Sequence, residues 1–165
     1  RIDADPLDGY FVAKQISEYV KTSSYDLIIA GRESIDYNGA MVPGLIAGFL
    51  KINYVTNCTK LEIDNEKVEL DREIDGGKET LSCTLPLIIG GQKGLVEESD
   101  LRIPNMRGIM QARQKPLEVL EAFDCSSNTK TIKCYKPEPK QAVKLVSADN
   151  LDELINLLHN EAKVL

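Results

Sequence analysis

The sequence has a single histidine, and its four cysteines, Cys58, Cys83, Cys125 and Cys134, form no C-x-x-C pair. His159 lies beside Leu158, off the apolar stripe of the last segment, and no Ser or Cys stands in a recognisable nucleophile elbow to pair with it. Triad and histidine-metal chemistry are therefore unsupported, and His159 reads as a solvated surface residue. The dispersed thiols read as reduced cysteines of a cytosolic protein, not as a disulfide framework. Asn57-Cys58-Thr59 spells a glycosylation sequon, but nothing else points to secretion. No apolar run approaches membrane-spanning length and no charged-then-apolar leader opens the sequence, so a membrane-embedded protein is not expected. Positive charge is scarce as well. Twenty Lys and Arg face 26 Asp and Glu, a net charge of −6, which argues against a nucleic-acid surface. Gly90-Gly91-Gln92-Lys93-Gly94 lacks the GK[ST] ending of a phosphate loop, and G-x-G-x-x-G is absent; the run reads as a flexible exit from a strand.

What is present is ordinary in amount and informative in order. With 165 residues, 42% hydrophobic and 28% charged, the chain is expected to form one domain, or one with an arm, around a real core. Its organising stretch is Tyr25–Leu50. Asp26-Leu27-Ile28-Ile29-Ala30, stopping at Gly31, reads as a buried parallel strand. Val42, Leu45, Ile46, Phe49 and Leu50 recur at helical spacing, with Pro43 in the first turn, where its missing N–H costs nothing. Between them lies a polar loop with a second glycine, Gly39. A loop leaving the carboxyl end of a parallel strand for a helix start is where open α/β sheets bind ligands, and the free amides of the helix start favour a phosphate.

Before this stretch, Asp5 followed by Pro6 predicts a helix start, and Leu7, Phe11, Val12, Ile16, Tyr19 and Val20 its apolar face. A chain opening on helix then parallel strand begins inside a βαβ array. Either further sheet precedes residue 1 or the strand lies against something else. After it, residues 53–63, 67–74 and 78–85 alternate like strands, with turn signals at Asp64-Asn65 and Gly76-Gly77. Leu87-Ile88-Ile89 then supplies one more buried strand, so the antiparallel meander returns to the sheet. Asp71, Glu73, Asp75 and Gly76 match only the start of a calcium loop. Ser82 stands where the bidentate Glu is needed, so a bend between strands explains them better. Residues 90–104 read as an exposed loop and 109–122 as partly helical, interrupted by Pro116. Residues 124–138 read as an extended polar arm. Ser147 is expected to cap a final helix bearing Leu151, Leu154, Ile155 and Leu158.

Three segments carry a resemblance. Gly31, Ile35-Asp36, Pro43-Gly44 and Ala47 resemble the adenine-nucleotide loop of electron transfer flavoprotein beta subunits. Residues 67–90 (KVELDREIDGGKETLSCTLPLIIG) are similar to that family's signature at Arg72, Asp75, Gly76, Gly77, Glu79, Leu81 and Pro86, departing from it at Leu70 and Gly90. Residues 102–116 (RIPNMRGIMQARQKP) look like its recognition loop and the helix that follows.

The resemblance implies an α/β fold in which a parallel sheet flanked by helices (adenine nucleotide alpha hydrolase-like) carries an antiparallel meander. Residues 1–123 would be the C-terminal part of the nucleotide-binding domain, with the recognition loop at about 94–116. Residues 124–165 would be an arm and helix contacting the partner subunit. The family's N-terminal strand and helix region is not matched, which favours further sheet before residue 1 and leaves an unprotected sheet edge. The implied function is that of an electron carrier subunit, not an enzyme. It would hold AMP, or FAD in the bifurcating branch, through Gly31, Arg32, Glu33, Ser34, Ile35, Asp36, Tyr37, Asn38, Gly39, Ala40, Met41 and Val42. Backbone amides would wrap the phosphate, with Asp36, Tyr37 and Asn38 nearest the ligand. Met41 and Val42 stand where many members carry Gln and Thr, which removes two side-chain hydrogen bonds. The implied partners are a FAD-bearing alpha subunit, acyl-CoA dehydrogenases docked through the apolar, adaptable Met106, and electron transfer flavoprotein-quinone oxidoreductase. The implied location is the bacterial cytoplasm or the mitochondrial matrix. A stand-alone adenine-nucleotide sensor of the same superfold is the alternative, and it needs neither recognition loop nor arm.

Overall fold

The structure is a computed structural model that describes residues 1–5, 8–140 and 142–165. Its elements are β1 (Ile2–Asp3), α1 (Gly9–Val20), β2 (Leu27–Gly31), α2 (Met41–Leu50), β3 (Asn53–Asp64), β4 (Lys67–Ile74), β5 (Gly77–Thr84), β6 (Leu87–Gly91), α3 (Met106–Ala112), β7 (Leu120–Glu121) and α4 (Leu151–Asn156). The chain forms two compact units, Arg1–Lys130 and Thr131–Leu165. Among the described residues no helix is long and apolar enough to cross a membrane.

The first unit is built on a five-stranded sheet of order β2-β6-β3-β4-β5. β6, the last of the five in sequence, inserts between β2 and β3 and runs parallel to both; the meander β3-β4-β5 is antiparallel. The uninterrupted apolar run of β6 has a direct cause. Leu87 and Ile89 pack with Val55, Cys58, Val68 and Leu70 on one face, while Ile88 packs with Ala13, Ile46 and Ala47 of the helices on the other. A strand covered on both faces has no polar side to show. Leu87, Ile88 and Ile89, fully buried, each contribute about 1.5–3 kcal/mol relative to an exposed side chain. The α/β architecture expected from the sequence is thus present.

β3 joins the parallel and antiparallel parts of the sheet. Its first half runs parallel to β6 and its second antiparallel to β4, with register shifts on either side of Cys58. Asn57, at φ +56°, supplies the kink. Cys58 is fully buried in the bend, and burial pushes its thiol pKa up. The expected turns are found, with Asn65 at φ +55° and Gly76 at φ +86°. Gly76 sits where a side chain would be strained. Gly90 and Gly91, read from sequence as an exit loop, are instead the last residues of β6. They pair with Ala30 and Gly31.

Helix ends differ from expectation for reasons of capping. α1 starts at Gly9, capped by Asp8, whose Oδ1 accepts from the Phe11 amide at 2.7 Å; the expected Asp5 cap is not used, and Pro6 and Leu7 lie outside the described residues. The helix expected over 109–122 is the shorter α3, capped by Asn105. Leu120 and Glu121 extend instead as β7, pairing parallel with β1. The last helix is capped by Asn150, not Ser147, whose carbonyl accepts from Asn150 in the turn before. After Asn156 it widens into a π-type turn over Leu157–Glu161.

Residues 124–130, expected in the arm, are held to α1. The Asp8 Oδ2 accepts from the Asn128 amide at 2.7 Å and from the Thr129 amide at 2.8 Å. The buried Gln15 amide clamps Phe123, donating to its carbonyl and accepting from its N–H, both at 2.7 Å. The Phe11 amide holds the Asp8 carboxyl below its ordinary value; burial opposes it, and the Thr129 and Asn128 amides add to the lowering. A carboxyl lowered on folding adds stability above its unfolded pKa of about 3.9 and loses it as pH falls through the folded value. Asp8→Ala is expected to cost about 1–2 kcal/mol at pH 7 and to flatten the acid limb of stability below pH 4. Urea unfolding between pH 3 and 7 checks this; an unchanged limb would remove Asp8 from that role.

Candidate functional site

The geometry of the site follows from two neighbouring strands that end together. Gly31 pairs with Gly91, and the Arg32 amide still donates to the Gly91 carbonyl at 3.2 Å, so β2 stays in register one residue past its end. The loop then closes on itself. Ser34 and Gly39 form an isolated antiparallel bridge, with the Ser34 amide donating to the Gly39 carbonyl at 2.8 Å. Ser34 Oγ donates to Asp36 Oδ2 at 3.0 Å, and Asn38 at φ +52° turns the chain back. Asparagine tolerates that left-handed geometry better than most residues. The tip therefore projects Ile35 and Tyr37, 92% and 86% exposed.

The loop feeds directly into α2. Its N-cap is Ala40, whose side chain offers no acceptor. The amides of a helix's first turn have no intrahelical partners, and they carry the positive end of the helix dipole. An uncapped start at the carboxyl end of a parallel strand is suited to an anion, through backbone alone. Met41 and Val42 are engaged elsewhere. Val42 packs against the helix-side core, and Met41 lies over Gly9, where a Cβ would come within 2.7 Å of its sulfur. Val42 thus ties α2 into the helix-side core, while Met41, 60% exposed, lies along α1 at Gly9.

Tyr54 sets the height of α2 above the sheet. A Cβ on Gly44 would sit 3.5 Å from its ring, and one on Gly90 3.2 Å from its hydroxyl oxygen. Two glycines thus let one tyrosine lie between the first turn of α2 and β6.

Beside the loop, at the same end of the sheet, is an open cleft of about 580 Å³ lined by Arg32, Asn57, Arg72, Glu73, Ile74, Asp75 and Gln92. Its charges are largely matched. Arg32 pairs with Glu33, Arg72 with Glu79 at 2.5 Å, and Glu73 accepts from Gln92 at 2.9 Å. The loop after β2 and the segment 67–90 both reach this cleft, through Arg32 and Arg72, while Ser34, Ile35, Asp36, Tyr37 and Asn38 form the projecting tip. Asn57 and Gln92 were not singled out as site residues from sequence. No motif marks them; only the kink in β3 and the parallel insertion of β6 bring them to the cleft.

Met106 is the first residue of α3 and is 74% exposed; Ile103, two residues before the Asn105 cap, is 82% exposed. The expected knob is thus accompanied by a second, equally bare apolar side chain that sequence reading passed over. His159 is on the surface, its Nδ1 3.2 Å from Asn160 Oδ1.

Gly90→Ala is expected to destabilise the fold by about 1–3 kcal/mol by crowding Tyr54. Tyr54→Phe in the same chain should recover part of that loss, because the hydroxyl is the nearest clash. Urea midpoints of the two single variants and the double variant measure the coupling. Strict additivity would show that Tyr54 does not set this spacing.

Comparison with known proteins agrees with the segments identified from sequence. The family model described as "Electron transfer flavoprotein domain" matches residues 2–124. The chain is 37% identical to "Electron transfer flavoprotein subunit beta" of Bacillus subtilis (strain 168), over 99% of this chain and 66% of that protein. It is 28% identical to the protein of the same name from Sus scrofa, over 98% of this chain and 63% of that one. With that of Dictyostelium discoideum the identity is 34%, over 87% and 58%. The chain thus spans less than two-thirds of the length of the curated relatives it matches, 66%, 63% and 58% of these three. These relatives are named as subunits of an electron carrier, in keeping with the expectation of a carrier subunit over an enzyme. On a family match covering most of its length, the chain belongs to the electron transfer flavoproteins, among their beta subunits.

Proposed function

We propose that this chain is the nucleotide-holding and docking subunit of a heterodimeric electron carrier. The observation that carries the reading is the loop Gly31–Val42, which leaves the end of a parallel strand and enters the uncapped start of α2. The ligand is an adenine nucleotide, AMP or alternatively FAD, with its phosphate on the amides of the α2 start and the loop around it. The subunit's own side chains include no evident redox group. Its part is positional: it holds the nucleotide, supports an alpha subunit that carries FAD, and presents the segment around Met106 to acyl-CoA dehydrogenases. Electrons then pass to electron transfer flavoprotein-quinone oxidoreductase, in the bacterial cytoplasm or the mitochondrial matrix.

The second unit supports the heterodimer. Ile132, Tyr135, Val143, Leu145, Leu151 and Ile155 are exposed, an apolar load of the kind an interface covers. Deleting residues 147–165 is expected to weaken co-purification with the alpha subunit, and undiminished co-purification would remove this segment from the interface.

The ligand is tested by denaturing the protein co-expressed with its alpha subunit and identifying the released nucleotides by mass. One FAD and one AMP per heterodimer is the expected result. Two FAD would assign the flavin alternative to this subunit and give it a redox role. Release of AMP or ATP from this chain with no flavin in the preparation would favour the nucleotide sensor and overturn the carrier reading.

A further inference from the structure

Residues 120–130 close the first unit and lead to the second, which begins at Thr131. They run back along α1 as a strap. Leu120 and Glu121 pair with β1, Phe123 meets Gln15, and Asn128 and Thr129 meet Asp8 at the helix start. Yet no side chain of the strap is buried, and only Leu120, Cys125 and Ser127 are half-buried. Neither core cluster includes any of them. The Phe123 ring is exposed, with Lys14 Nζ 5.6 Å from its centroid.

What holds the strap is polar and belongs to α1 and its cap. The buried Gln15 donates from Nε2 to the Phe123 carbonyl at 2.7 Å and to Cys125 Sγ at 3.3 Å, and its Oε1 accepts from the Phe123 amide at 2.7 Å. Asp8 divides its carboxylate. Oδ1 caps α1, and Oδ2 accepts from the amides of Asn128 and Thr129 and from the Thr129 hydroxyl at 3.2 Å. On opening, each of these groups finds water, so the net loss per bond is modest. No cavity forms in the core, because α1 keeps Ala13 and Ile16 packed on its other side. A segment with few buried apolar contacts and solvent-near backbone bonds lies at the low-stability end of a fold.

We infer that residues 120–130 form a latch that opens from α1 as one unit while the α/β sheet stays folded, with Gln15 and Asp8 as its two catches. The catches act together because each holds the chain near the other, and loss of one lengthens the loop that the other must close. The latch also has a means of control, and this part rests on the proposed heterodimer. An alpha subunit that engages the second unit removes freedom from the far end of the strap. Closing then costs less entropy, and the latch shifts toward the closed state.

The test is hydrogen exchange of the full chain, alone and with its alpha subunit, read at the amides of Leu120, Phe123, Asn128 and Thr129 and at Ile88 and Ile89 of β6. In the chain alone the four strap amides should share one protection, at least about 100-fold below that of β6. Two variants separate the catches. In Asp8→Asn, residue 8 has one amide oxygen in place of two carboxylate oxygens and cannot serve both the cap and the strap. Exchange should rise about tenfold not only at Asn128 and Thr129 but also at Phe123, which Asp8 does not touch. Gln15→Leu should give the converse rise at Asn128 and Thr129. Ile88 and Ile89 should be unchanged in both. Acceleration confined to the amides that each catch bonds would overturn the latch, and so would strap and β6 amides accelerating in parallel, which would make the strap an integral part of the fold. Bound alpha subunit should slow exchange across the strap. Unchanged exchange in a heterodimer that does form would overturn the control of the latch while leaving the proposed function standing. Failure of the alpha subunit to bind at all would overturn both the proposed function and that control, and the cross-effects of the two variants would still decide the latch itself.

Discussion

The placement of β6 between β2 and β3 is the constraint on which the rest depends. There Leu87, Ile88 and Ile89 all lose contact with water, since each face of the strand meets a different layer. Once β6 is there, its end must coincide with that of β2, because Gly90 and Gly91 pair with Ala30 and Gly31. The Gly31–Val42 loop therefore starts at the rim of the parallel sheet, not part-way down a face. The kink at Asn57 follows too, since β3 must leave β6 in order to continue into the meander.

The same insertion determines what kind of site the rim can form. The elements arriving there bring mostly backbone: two glycines ending β6, one ending β2, and a helix start without a capping side chain. Tyr54, fitted between Gly44 and Gly90, keeps that helix start close to the strand ends. The charged side chains nearby neutralise one another in pairs. A site of this composition gains affinity for an anion from oriented amides, and it depends on their positions far more than on any single side chain.

The layers were legible in the sequence because burial leaves a period. The apolar run of β2, the helical stripe of α2 and the alternation of β3 to β5 each report the face they bury. Position within the sheet left no such trace: nothing in Leu87-Ile88-Ile89 tells which strands lie on either side. Ends were legible only where one residue dominates, as at Gly76. At α1, α3 and α4 the cap falls on one of several nearby candidates, and at α1 a tertiary contact decides between them. Asp8 prevails over Asp5 because its second oxygen also secures Asn128 and Thr129, more than a hundred residues away in the chain. The clamp of Gln15 on Phe123 is of the same kind, a polar staple that no apolar pattern announces. The loop was found by topology, since a strand end leading to a helix start is visible in one dimension, whereas the cleft residues Asn57 and Gln92 are brought together only in three.

Met41 and Val42 show how side chains at the end of this loop can serve the support of α2 and leave its first-turn amides to the backbone. At these positions a side chain can face either the ligand or the seam between α1 and α2. Here both face the seam: Met41 covers Gly9, and Val42 joins the core with Ile46 and Ala13. The first-turn amides of α2 are independent of these side chains, because they belong to the helix geometry and not to the residue. Under the proposed reading, nucleotide affinity here rests on how firmly α1, α2 and Tyr54 hold the first turn in place. Selectivity between adenine nucleotides then has to come from the residues around the phosphate site. Arg32 is the clearest candidate among them, as the one loop side chain that also lines the neighbouring cleft.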